Sequence, residues 1–97
     1  MSTQRVSIKD LEAIVRRINR ETGSPEASWQ RSADNKLTAL VGNYHLDEAY
    51  GKVALVRMVN EDGGITVVCG RSTKRELQYE MFAFLAGVQA AREAVAV

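Results

Sequence analysis

Apolar residues recur at helical spacing in "SIKDLEAIVRRINRETG", where Ile8, Leu11, Ile14, Val15 and Ile18 fall on one helix face. Ser7 stands before them as an N-cap, and Asp10 is placed to close a capping box. Gly23 and Pro25 stop the helix. Lys9, Arg16 and Arg20 lie opposite the stripe, as on a solvated helix face. The pattern then shortens. "ASWQRS" and "LTALVG" flank the turn-forming "ADNK". "KVALVRMVN" and "ITVVCG" flank "EDGG", a strong hairpin signal. Both faces of "VALVRMV" are largely apolar, which predicts a strand covered on both sides, or on one side by a partner subunit. A second helix follows in "TKRELQYEMFAFLAGVQAAREAVA", with Thr73 and Glu76 as capping box. Its apolar face holds Leu77, Met81, Phe84 and Val88 and is widened by Phe82 and Leu85. The order α-β-β-β-α, with room for one more short strand, predicts an α+β fold. It is read as a two-layer sandwich, an antiparallel sheet with the helices on one face, in a single domain over residues 1–97.

Composition changes this picture little. The chain is 45% hydrophobic and 26% charged over 97 residues, which is globular, with a thin core that favours self-association. A net charge of +1 is too balanced for a generally basic nucleic-acid binder, though local patches remain open. The lone Cys69 makes no internal disulfide, which fits a reducing compartment. No apolar run is long enough to span a membrane, and the first ten residues lack the apolar centre of a secretory leader. The expectation is a cytoplasmic protein.

Standard catalytic and cofactor motifs are absent from the sequence. His45 with Asp47 and Glu48 is a weak metal set. Cys69 ends an apolar strand and reads as a small buried hydrophobe, not as a nucleophile activated by His45. No catalytic residue, metal or cofactor is therefore predicted.

Two stretches read as binding surface. "GNYHLDEAYG" has the pattern of a loop hinged by glycines, in which Tyr44, His45 and Tyr50 present aromatic and hydrogen-bonding groups. Its other reading has one tyrosine filling the core and His45 pinning the loop. "GRSTKRE" gathers Arg71, Lys74 and Arg75 at a helix start, where cations are unfavourable unless an anion such as phosphate, or an acid such as Glu76 or Glu80, answers them.

The segments "VGNYHLDEAYGKVALVRMVNEDGG" and "TKRELQYEMFAFLAG" resemble the small accessory proteins of tailed bacteriophages and prophages, which share a G-x-Y-H-L stretch, a strand, an N-x-x-G-G turn and a K-R-E-L helix start. The resemblance implies a phage-type protein in the cytoplasm of a bacterial host, with a role in host takeover or counter-defence. A weaker resemblance is to the double-stranded-RNA-binding domain. It implies that His45 enters a minor groove and that Lys74 and Arg75 clamp phosphates, although Asn43 stands where that family has proline. The expectation is a non-enzymatic protein that sequesters or blocks a host macromolecule or a phosphate-bearing ligand, nucleotide or nucleic acid. It is expected to be a homo-oligomer, with Tyr44, His45, Tyr50, Arg71, Lys74 and Arg75 as the binding residues. The alternative is a module of the double-stranded-RNA-binding type.

Overall fold

The first apolar stripe becomes α1, Ile8–Thr22, in the computed structural model, which describes residues 5–96. The leader reading rests partly on residues 1–4, which lie outside the described residues. The capping box forms: Asp10 N–H donates to Ser7 Oγ at 3.2 Å, and Ser7 N–H donates to the Asp10 carboxylate at 2.9 Å. Gly23 closes the other end in the left-handed conformation. The second helix, α2, spans Lys74–Ala96. Glu76 N–H donates to Thr73 Oγ1, and the Glu76 carboxylate accepts in return.

Between the helices lie five strands in two antiparallel sheets. A short hairpin pairs β1, Trp29–Arg31, with β2, Leu37–Ala39. The main sheet has β3, Tyr44–Ala49, β4, Lys52–Met58, and β5, Ile65–Ser72, in the order β3-β4-β5. The α+β class holds. The order is α-β-β-β-β-β-α: the hairpins read from "ASWQRS" with "LTALVG" and around "EDGG" both form, and β3 is the strand added between them.

Both helices pack on one face of the main sheet. Leu11, Ile14, Val15 and Ile18 of α1 and Leu77, Met81 and Leu85 of α2 form one core with Tyr44, Val53, Leu55 and Cys69. Phe82, expected to widen the stripe, is 47% exposed and stays outside this core. The other face of β4 is buried too, at Ala54, Val56 and Met58, as the two-sided apolar pattern required. The chain supplies this cover by itself. Arg71 reaches from β5 across β4 to Asp47, the partner of Ala54 on β3. The hairpin is tied to the β4–β5 turn by Ala39 N–H to Glu61 C=O at 3.0 Å. The Trp29 ring lies so close to Gly63 that a Cβ there would stand 2.7 Å from it, and φ of 98° at this position also demands glycine.

The result is flat, 54 × 43 × 20 Å, with a radius of gyration of 14.8 Å. A compact chain of this length has about 12.5 Å. One helix layer on one sheet accounts for the thin dimension and leaves both sheet edges, β3 and β5, at the rim.

Candidate functional site

The stretch expected to be a loop is a strand. His45, Asp47 and Glu48 are poor strand formers, but Tyr44 and Leu46 alternate toward the helices, and pairing with β4 decides the conformation. The strand begins at a bulge. Gly42 N–H donates to Met58 C=O and Met58 N–H donates to Asn43 C=O, both at 2.8 Å, so two residues oppose one. It ends at Ala49, paired with Lys52 across the two-residue turn Tyr50–Gly51. The φ values there are 56° and 72°, the signature of a type I′ turn. Glycine belongs at such a position. Tyrosine does not, and the left-handed conformation costs an ordinary residue roughly 1–2 kcal/mol. Tyr50 is also 98% exposed, so packing does not repay that cost.

The aromatic and histidine side chains of this stretch separate. Tyr44 is in the core, its ring 5.6 Å from that of Phe84 and under the Arg57 guanidinium at 5.7 Å. It is the tyrosine that fills the core, and it offers no wall to a ligand base. His45 points to the opposite face and is half-buried. It donates from Nδ1 to Asn43 Oδ1 at 3.0 Å, because the Asn43 amide nitrogen is occupied with Pro25 C=O at 2.8 Å and Glu26 C=O at 3.1 Å. Burial holds the imidazole below its ordinary value, and the Asp47 charge offsets this in part. His45 is thus a neutral pin within a strand. The carry-over from the RNA-binding resemblance, which needs His45 in a projecting loop, does not hold.

Two buried asparagines organise the region, and sequence reasoning assigns neither a structural role: it passes over Asn19 and marks Asn43 only as a departure from a family proline. Asn43 also accepts from Ser28 Oγ at 2.8 Å, which joins the connection after α1 to β3. Asn19 takes the outer edge of β3 as a strand would: its amide donates to Tyr44 C=O at 3.0 Å and accepts from Tyr44 N–H at 2.8 Å. Asn19 stands four residues after Val15, on the apolar stripe of α1, and a polar residue there was the available signal.

The basic junction separates as well. Arg71 belongs to β5 and is engaged by Asp47 through an ion pair and a bond to its carbonyl, so it does not sit with the helix start. Lys74 and Tyr50 line one shallow cavity of about 320 Å³, together with Glu48 and Lys52. The turn and the start of α2 therefore share one end of the sheet. Arg75 lines a different cavity, with Tyr79 and Phe82. Bonds from Thr73 hold the Glu76 carboxyl below the usual carboxylate range, with a smaller contribution from Lys52.

Cys69 packs with Leu55 and Leu77 on the helix face, while His45 is on the other, so the sheet keeps thiol and imidazole apart. Burial, and then the Glu80 charge, push the Cys69 thiol above its ordinary 9.0. The fold favours the neutral thiol. Its contribution is therefore whole below pH 9.0 and is lost as pH rises through the higher folded value. Cys69 is expected to react with a disulfide reagent at least ~100-fold more slowly in the folded protein than in denaturant, since reaction waits on opening. Equal rates, followed by thiolate release, would contradict its burial.

Among the described residues no cluster of three His, Cys, Asp or Glu is placed to hold a metal ion, and no helix is long and apolar enough to cross a membrane. No family model, curated protein or solved structure matches the chain.

Proposed function

We propose that the protein is a non-enzymatic, phage-type accessory protein that works in the cytoplasm of a bacterial host by binding and blocking a host macromolecule. The observation that carries this reading is Tyr50. A fully exposed aromatic residue at positive φ, where asparagine or glycine would be more stable, is a cost to the fold without a structural return. Tyrosine is an effective anchor because it brings a large amphipathic surface with few rotatable bonds. Lys52 and Lys74 flank it, and a phosphate-bearing ligand or an acidic protein surface would meet them there. The test is retention from bacterial lysate on immobilised wild type and Tyr50→Asn, with proteins, nucleic acids and small molecules quantified separately. A species held in stoichiometric amount by wild type and lost from the variant is expected.

A second reading has its own observation. The resemblance to the double-stranded-RNA-binding domain is supported by the order helix, three-stranded antiparallel sheet, helix, apart from the β1–β2 hairpin, and by the β3–β4 turn lying at the same end as the start of α2. On this reading Lys74, Lys52 and Tyr50 would carry the contact. It requires affinity for an RNA duplex that falls steeply with salt. Salt-independent retention of a protein would exclude it.

We further propose a homodimer built through β5. This edge strand exposes Val67 at 60% and Ile65 at 44%, and its middle carries no charge or proline to discourage pairing. Antiparallel pairing of two copies would extend the sheet to six strands about a two-fold axis. Sedimentation is expected to give a dimer mass that Val67→Lys converts to monomer. A monomer mass for wild type at high micromolar concentration would remove the proposal.

A further inference from the structure

The second rim of the sheet is built differently from the first. β3 is an edge strand whose His45, Asp47 and Ala49 pair with β4, so the N–H and C=O groups of Tyr44, Leu46 and Glu48 point outward. Asn19 occupies those of Tyr44. Among the described residues no backbone or side-chain group pairs with those of Leu46 or Glu48. They open into a groove of about 570 Å³ between α1 and β3, a volume in the range of ligand sites. Val15 and Leu46 give it an apolar floor, and Glu12, Glu26 and Glu48 face the single cation Arg16.

We infer that this α1–β3 groove takes an extended, basic peptide segment of another protein as an added strand. Three features of the site act together. Free peptide groups on an edge strand supply the hydrogen bonds of strand addition, and side-chain pockets beside the edge supply selectivity. Asn19 shows that the edge at Tyr44 already accepts a strand-like donor and acceptor pair, and it closes the groove at that end. The carboxylates set the charge of the occupant. His45 adds no positive charge near neutrality, because its imidazole is held in the neutral form. A lysine- or arginine-bearing strand with small apolar residues between the charges satisfies both floor and rim. A second copy of this chain does not through its own β3 edge, which carries Asp47 and Glu48 and no lysine or arginine. The groove adjoins the Tyr50 cavity through Glu48 but contains neither Tyr50 nor its flanking lysines, and it does not depend on the role of Tyr50.

The probe is a fluorescent octapeptide of alternating lysine and valine, titrated in anisotropy against the full chain. Three controls accompany it. One is the same octapeptide N-methylated at two adjacent central residues, which blocks both of its edges and keeps its charge. Another replaces lysine by glutamate. The third is the doubly substituted protein Glu12→Lys, Glu26→Lys, both exposed positions, checked for intact fold by circular dichroism. Saturable binding is expected, at least ~10-fold weaker in each control, with amide shifts centred on Leu46 and Glu48. Equal binding of the N-methylated peptide would reduce the effect to charge attraction and overturn the inference. So would unchanged affinity in the double variant, amide shifts centred on Val67, or no saturable binding of the octapeptide.

Discussion

Asn43→Ala lowers the stability of the protein by about 2–4 kcal/mol. The side chain is wholly buried and makes four bonds, to Pro25, Glu26, Ser28 and His45. Each is worth about 1 kcal/mol net, and the carbonyls left behind are partly reached by water, which limits the penalty. For a domain of this size 1 kcal/mol moves the midpoint by roughly 4–8 °C, so the loss is at least ~8 °C. Asn43→Asp discriminates hydrogen bonding from packing. It keeps the acceptor for Ser28 but sets a carboxylate against two carbonyls, so its folded pKa rises. The destabilisation is then present at neutral pH and is relieved as pH falls through that raised value. Thermal denaturation of both variants across pH checks this. A midpoint within 2–3 °C of wild type for Asn43→Ala, roughly 0.5 kcal/mol, would mean that the amide does not hold the connection to β3.

Leu55→Ala is expected to cost a further-reaching 3–5 kcal/mol. Leu55 is fully buried in the middle strand, between Leu46 and Cys69 in register, and under both helices. A site enclosed by backbone on two sides collapses little, so the cavity penalty adds to the lost transfer energy. With a total stability of about 5–15 kcal/mol the variant approaches unfolding at 37 °C. Leu55→Met, which conserves volume, should lose less than ~1.5 kcal/mol. Urea denaturation measures both. A small loss for Leu55→Ala would show that the helices repack, and that the sheet is less rigid than its register implies.

The elements set by periodicity and capping were legible. Ser7 with Asp10 and Thr73 with Glu76 mark the helix starts because their side chains complete the free N–H groups of a first turn, a local interaction. "EDGG" marked the β4–β5 turn for the same local reason. β3 was not legible. Its polar residues suit a loop, and only pairing with β4, together with a core place for Tyr44, makes it a strand. The candidate site suffered from the same limit. Neighbours in sequence on a strand point to opposite faces, so Tyr44 and His45 part company, and Arg71 answers an acid 24 residues away. Asn19 and Asn43 act across 15 to 25 residues and leave no periodic trace of what they bind.

On the proposed function, Tyr50 stands against the preference of its turn because it binds. Tyr50→Asn converts the turn to Asn-Gly, the favoured type I′ sequence, and removes the anchor in one step. Its thermal midpoint and its capture of bacterial lysate components should be measured beside wild type. The midpoint is expected to rise by about 2–8 °C, from about 0.5–1 kcal/mol of relieved backbone cost, with at least a ~10-fold loss of captured material. A variant that retains as much as wild type, or a wild type that retains nothing above blank resin, would contradict it.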